Sequence, residues 1–150
     1  MNKRQPGKPL LVLDTNVVFD LLLFDDGVAR PLWHALEAGR VRCAATDATF
    51  EEWRRVLGYP EFELDATQQA ALVARYRELS TLSAMAEAVS DMPRCSDPDD
   101  QKFIELAAAA CAEALVSKDR AVLKLRRRCA PWFRVMTPAE AVRWLDTEPG

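Results

Sequence analysis

The chain has 150 residues, of which 49% are hydrophobic and 29% charged, and its formal net charge is −3. This length predicts one domain around one core, and the charge balance argues against both a disordered chain and a protein that coats nucleic acid through bulk charge. The four cysteines are scattered, which disfavours a zinc site. With no secretion signal and no membrane-length apolar run, we expect a cytoplasmic protein that does not contact membranes.

The hydrophobic pattern predicts alternating strands and helices along the first half of the chain. Leu10 to Leu13 is a uniformly apolar run ended by Asp-Thr-Asn, which is typical of a buried parallel strand. The elements predicted after it are helices at 17–24 and 30–38, a strand at 41–44, and helices at 47–57 and 65–79. Only an irregular strand is predicted at 81–89.

The second half continues the alternation. Asp97 is a good N-cap, and Pro98 follows it at the first position of an alanine-rich helix that runs to Ala112. The elements predicted after it are a strand at 114–117, a short helix at 119–125, a strand at 133–136 and a helix at 138–145. The pattern predicts a three-layer α/β/α fold with a short, mainly parallel central sheet flanked by helices. The domain is predicted to span residues 10–145, between flexible tails at 1–9 and 146–150.

Four acidic side chains are expected at one edge of this sheet. Asp14 and Asp119 follow predicted strands, and ligands gather beyond the carboxyl ends of parallel strands. Asp100 lies in the first turn of a crossover helix that opens at the same edge, and Glu52 lies on a helix that packs on the sheet. Clustered carboxylates need cations, and oxygen-only ligands select Mg²⁺ or Mn²⁺. Such ions support the attack of water on a phosphodiester.

The segments LVLDTNVV, EEWRRVL, DPDDQKFIELA and LVSKDRAVL, in this order, resemble the PIN-domain family. The likeness runs from about Leu10 to Leu145 and is strongest to the bacterial branch of toxins from toxin–antitoxin pairs. It implies a PIN-like fold and a metal-dependent endoribonuclease that cuts RNA. It also implies roles for the matching residues, with four catalytic metal ligands and two supporting side chains: Asp14, Glu52, Asp100 and Asp119, supported by Asn16 and Ser117.

Two of these assignments leave a neighbour in competition. Glu51 and Glu52 both flank the buried face of their helix, and Glu52 is preferred from the family match alone. Asp97 and Asp99 compete with Asp100 for the other position. Asp97 is the better N-cap, which leaves Asp100 freer to bind metal and Asp97 as an outer ligand.

Each acid also has an ordinary structural explanation. Asp14 and Asp119 are suitable N-caps for the helices that follow them, and Glu52 on a helix is compatible with a solvent-facing side chain. Among the basic residues, those beside the last acid are predicted to contact RNA phosphates: Lys118, Arg120 and Lys124. The arginine run 126–128 is more typical of a solvated face than of an RNA contact, and the four tryptophans are expected in the core or in an interface rather than as base-stacking platforms.

The predicted partners are an RNA substrate, a cognate antitoxin protein and a second copy of the chain, of which the last two rest on the family resemblance. Two other functions compete with the nuclease. One is a catalytically silent PIN fold that acts as a binding or scaffold module. The other is a magnesium-dependent phosphatase, which is disfavoured because it needs a second aspartate two residues after Asp14, where this chain has Asn16.

Overall fold

The computed structural model describes residues 8–82 and 91–147, which form a three-layer α/β/α structure. Its central sheet has five parallel strands in the order β3-β2-β1-β4-β5. The strands are β1 (Leu10–Leu13), β2 (Arg42–Ala45), β3 (Ser80–Leu82), β4 (Ala114–Val116) and β5 (Arg134–Met136). The predicted fold class is confirmed, and the sheet is entirely parallel within the described residues.

Eight α-helices cover the two faces of the sheet within the described part of the chain. They are α1 (Thr15–Leu22), α2 (Arg30–Glu37), α3 (Asp47–Leu57), α4 (Ala66–Leu79), α5 (Gln101–Ala109), α6 (Arg120–Leu123), α7 (Arg126–Cys129) and α8 (Pro138–Thr147). Apolar side chains of α1 to α4 and α8 pack on one face, and those of α5 to α7 pack on the other. No described helix has the length and apolar composition that crossing a lipid bilayer would require.

The uniformly apolar sequence of β1 follows from this layering. Leu11 and Leu13 belong to the core on the α1 side, whereas Leu10 and Val12 belong to the core on the α5 side. Since successive strand residues point to opposite faces, a strand covered on both faces needs apolar residues at every position.

Several element boundaries differ from the prediction. Helix α1 begins at Thr15, two residues early, because the Asp14 carbonyl already accepts the amides of Val17 and Val18. The predicted helix 119–125 is shorter, and the arginine run forms a separate helix, α7. β3 begins one residue before the predicted irregular strand, most of which lies outside the described residues. The predicted domain bounds and flexible tails stay predictions.

The carboxyl ends of three strands meet at one edge. The amide of Asp14 donates to the carbonyl of Val116 at 3.0 Å, and the amide of Ser117 donates to that of Met136 at 2.9 Å. These bonds extend the pairing of β1, β4 and β5 by one residue beyond the strands. The residues that follow these strands are therefore held side by side.

Candidate metal centre

Three of the four predicted acids lie together at this edge. Asp14 follows β1 and precedes α1, Asp100 ends a 3-10 turn (Pro98–Asp100) just before α5, and Asp119 is the N-cap of α6. One carboxylate oxygen from each residue lies within 4.8 Å of the other two. We call these residues the inner triad. They come from three separate parts of the sequence, and the strand order brings them to one place.

A buried serine connects two members of the inner triad. The hydroxyl of Ser117 donates to Oδ2 of Asp14 at 2.6 Å and accepts the amide of Asp119 at 3.0 Å. Ser117 is completely buried, so this bridge is shielded from solvent. Oδ1 of Asp119 in turn accepts the amide of Ala121 at 2.9 Å, which caps α6. Both carboxylates are therefore oriented by the protein itself.

The supporting role of Asn16 stays a prediction. The Asp14 carboxylate makes no side-chain capping hydrogen bond to α1, although the nearby Asn16 backbone lowers the pKa of Asp14. The side-chain oxygen Oδ1 of Asn16 is buried and has no hydrogen-bond partner among the described residues.

The electrostatics of the inner triad disfavour three negative charges. Burial raises the pKa of Asp14 to about 6; the Ser117 hydrogen bond opposes this rise, and the nearby charges of Glu52 and Asp119 reinforce it. Burial also raises the pKa of Asp100 to about 8, together with a hydrogen bond to Asp119 and repulsion from neighbouring acids. Within the described residues, no lysine or arginine forms an ion pair with the inner triad.

The fourth predicted acid, Glu52, lies beside the inner triad but is bound differently. Its side chain on α3 is buried, whereas Glu51 is exposed, so the helix orientation distinguishes the two glutamates. Oε2 of Glu52 accepts a hydrogen bond from the Thr15 hydroxyl, and Oε1 forms an ion pair with Nζ of Lys102. Both carboxylate oxygens therefore already have protein partners.

A second buried carboxylate at this edge is also paired with a lysine. Asp20 of α1 is buried, and its Oδ2 lies 2.7 Å from Nζ of Lys118, which is the distance of an ion pair although the contact lacks hydrogen-bond geometry. Lys118, predicted as an RNA contact, thus has an acidic partner in the folded chain. The other two predicted RNA contacts, Arg120 and Lys124, are exposed at the two ends of α6 and form no ion pair among the described residues.

Asp97 lies close by and has a capping role. Its carboxylate accepts the amide of Asp99 at 3.0 Å and caps the 3-10 turn. It is not one of the three acids whose oxygens meet, although its charge contributes to the raised pKa of Asp100. The geometry therefore separates the competing aspartates, with Asp100 inside the cluster and Asp97 at its border.

Sequence reasoning missed three residues that shape this edge: Thr15, Asp20 and Lys102. Two of them carried a visible signal. Asp20 is an acid inside an otherwise apolar helix, where a buried charge requires a partner, and Lys102 lies two residues after Asp100. Thr15 carried none beyond its place next to Asp14.

The residues of the inner triad fit a hard divalent cation. Oδ2 of Asp100 is buried and has no hydrogen-bond partner within the described chain. An orphaned carboxylate oxygen in a cluster of acids is stabilised by a cation, and oxygen ligands match Mg²⁺ or Mn²⁺ rather than softer metals. The inner triad could therefore bind such an ion.

The comparisons with known proteins agree with this combination of sheet order and acidic cluster. A family model described as a PIN domain matches residues 10–121. The chain belongs to the PIN-domain family, whose members are generally metal-dependent nucleases, which makes it a hydrolase at this coarse level. A search of curated proteins gave no match.

Proposed function

We propose that this protein is an endoribonuclease that hydrolyses RNA phosphodiester bonds with Mg²⁺ or Mn²⁺. The observation that carries the proposal is the inner triad, in which three carboxylates meet without a protein cation and Oδ2 of Asp100 lacks a partner. Asp14, Asp100 and Asp119 are the proposed metal ligands. Membership of the PIN-domain family supports this choice of chemistry.

When bound, a divalent ion would activate a water molecule and stabilise the leaving oxygen of the phosphodiester. The side chains of this protein prepare that chemistry by position and charge. The Ser117 hydroxyl orients Asp14, and the Ala121 amide orients Asp119. Burial and the neighbouring acids raise the pKa of Asp100, so a bound cation would compete with a proton for this carboxylate.

We place Glu52 as the fourth acid, acting through a water molecule. Thr15 and Lys102 engage its two oxygens, which disfavours direct ligation, yet its charge is close enough to raise the pKa of Asp14. Lys102 is thus a positioning residue that holds Glu52 at the border of the inner triad. Asp97 is proposed only as an outer contributor of negative charge.

The test is metal binding and cleavage, measured on the same variants. Calorimetric titration of Mg²⁺ and Mn²⁺ should show saturable binding to the wild-type protein and strongly reduced binding to Asp100→Asn. The matched control is Asp99→Asn, which removes an exposed charge one residue away. Cleavage of single-stranded RNA should stop on chelation and recover on addition of metal. Absence of saturable binding would favour the catalytically silent scaffold.

We also propose that the nuclease is the toxin of a toxin–antitoxin pair, on the strength of the motif resemblance. Induced expression should then arrest growth of a bacterial host, and the Asp14→Asn variant should not. Co-expression of a small protein encoded beside the gene should restore growth by forming a complex. Equal arrest by both proteins would contradict the proposed toxin mechanism.

A homodimer is the remaining proposed partner, and it too rests on resemblance to the family. Light scattering at several protein concentrations would give the mass in solution. A mass of one chain throughout would contradict it.

A further inference from the structure

A groove follows the outer side of β5. Within the described residues β5 pairs only with β4, so its other side is an open sheet edge. A cavity of about 560 Å³ lies there, against the apolar side chains of Val135, Met136 and Trp144. We call it the arginine groove after the four arginines that line it: Arg126, Arg127, Arg134 and Arg143.

The arginine groove concentrates positive charge on a protein whose net charge is negative. Only Arg126 has an acidic partner among the described residues, through two contacts to Glu140 at 3.1 and 3.2 Å. Arg127, Arg134 and Arg143 are exposed and form no ion pair within the described chain. Three uncompensated guanidinium groups fit a partner that carries several negative charges in a row.

One end of the groove reaches the edge that carries the inner triad. Glu140, which binds Arg126, also accepts the amide of Thr137, the residue directly after β5. The preceding residue, Met136, accepts the amide of Ser117, and Ser117 binds Asp14. Hydrogen bonds and the peptide bond between Met136 and Thr137 thus connect the start of the arginine groove with the candidate metal centre.

The other end of the groove leads to an exposed aromatic ring. A second cavity, of about 540 Å³, shares Ala130 and Arg134 with the arginine groove and is also lined by Trp132. Trp132 is 42% exposed, whereas Trp53 and Trp144 are buried as expected for core aromatics. Since β5 is three residues long, its two ends lie on the order of 10 Å apart, which is the span of a few nucleotides.

We propose that the arginine groove guides single-stranded RNA away from the metal centre, with arginines on successive phosphates and a base stacked on Trp132. The proposal rests on the proposed nuclease function, since it names where that substrate runs. Arginine is suited to phosphate recognition, and an exposed indole offers a stacking surface for any base. The alignment of charges from the catalytic edge to an aromatic ring favours RNA over an acidic protein segment.

The test compares RNA molecules of two lengths by fluorescence anisotropy in the presence of EDTA. The probes are labelled oligouridines of four and fifteen nucleotides, and the variant is Arg127→Gln/Arg134→Gln/Arg143→Gln. The matched control is Arg54→Gln/Arg55→Gln, which removes exposed charge from α3. Circular dichroism verifies that both variants are folded.

We expect the groove variant to bind the longer RNA about tenfold or more weakly, with a smaller loss for the shorter one. The slope of log affinity against log salt concentration should fall in magnitude by about 2, because each of the three lost phosphate contacts on a single strand contributes ~0.7. Trp132→Ala should weaken binding of the longer RNA by about tenfold, because stacking of one base is lost. The control should stay near the wild-type values.

Two results would overturn the inference. One is an unchanged affinity and salt dependence of the groove variant for the longer RNA. The other is loss of binding to poly-glutamate with RNA binding intact, which would assign the groove to an acidic protein segment. Failure of wild-type cleavage on every RNA would count against the proposed nuclease, whereas the anisotropy comparison would still decide the groove.

Discussion

The carboxylates at the edge that carries the inner triad fall into two groups with different surroundings. The outer acids, Glu52 and Asp20, each have a lysine, Lys102 and Lys118 respectively. The inner triad has no protein cation within the described residues, although one carboxylate oxygen of each member lies within 4.8 Å of the other two. The chain therefore neutralises the border of the site with its own side chains and leaves the centre for an ion from solution.

This difference has an energetic meaning. Burying a charge without a partner costs several kcal/mol, and the protein offsets that cost at the outer acids by ion pairing. At the inner triad the cost persists as raised pKa values, near 6 for Asp14 and near 8 for Asp100. Metal binding would remove this cost. Neutralising an acid of the inner triad should therefore stabilise the metal-free protein, whereas removing the lysine of an outer pair should destabilise it.

The largest expected effect is on catalysis. Asp14→Asn should lower RNA cleavage on the order of 100- to 1000-fold, because it removes charge from the point where the ion is held. The same variant should melt at a higher temperature than the wild type in EDTA, since burial already disfavours the charge of Asp14. Cleavage assays and thermal melting measure the two effects. The control is Asp47→Asn, at an exposed position of α3, and full activity of Asp14→Asn would refute its role as ligand.

The next effect is a pH dependence of stability that metal should abolish. Both raised pKa values mean that the folded protein holds more protons than the unfolded chain above the usual value of 3.8. Stability of the metal-free protein should therefore fall from about pH 4 to about pH 6 through Asp14, and on to about pH 8 through Asp100. Thermal melting in EDTA and in saturating Mn²⁺ across this range measures it. A melting temperature that rises with pH in EDTA would contradict the expected sign.

A smaller effect, on stability, is expected at the Lys102–Glu52 ion pair, where the protein supplies the cation. Lys102→Met should destabilise the metal-free protein by about 2 kcal/mol, because it leaves Glu52 buried without its partner. This value is below that of a fully buried pair, since the Lys102 side chain is 28% exposed. Urea unfolding measures the loss, and Lys124→Met is the control on an exposed lysine. If adding Glu52→Gln recovered none of the stability, the pair would not be the cause.

The smallest effect is expected at the second outer pair. Lys118 is 46% exposed, so solvent screens its attraction to Asp20. Lys118→Met should cost less than about 1 kcal/mol in urea unfolding. A loss larger than that of Lys102→Met would reverse the ranking of the two outer acids.

Much of this arrangement could be predicted from the sequence because it depends on topology. A parallel sheet places the residues after β1 and β4 at one edge, and the crossover helix brings Asp100 there. The outer pairs could not be predicted in this way. The position of Lys102 two residues after Asp100 places it near the site, but that spacing does not identify Glu52 as its partner, because the ion pair depends on how α5 packs against α3.

The sequence alone also could not decide which of two neighbouring acids, Glu51 or Glu52, faces the site. Glu51 and Glu52 differ by about 100° around α3, so a small rotation of the helix decides which one is buried. Packing of Trp53 and Phe50 against the core sets that rotation, and this packing is a property of the whole fold. The ends of β1, β2, β4 and β5 are thus predicted to within one residue, whereas the buried face of a helix is predictable only to the turn.

The Ser117 bridge means that strand pairing assembles much of the ion site before any ion arrives. Two of the three proposed ligands are already spaced by a hydroxyl that solvent cannot reach. An incoming ion would spend little of its binding energy on ordering the polypeptide there. The affinity of the proposed site for a divalent ion should therefore fall when the pairing of β1 with β4 is disturbed. Measuring that affinity would report how well the two strands remain aligned.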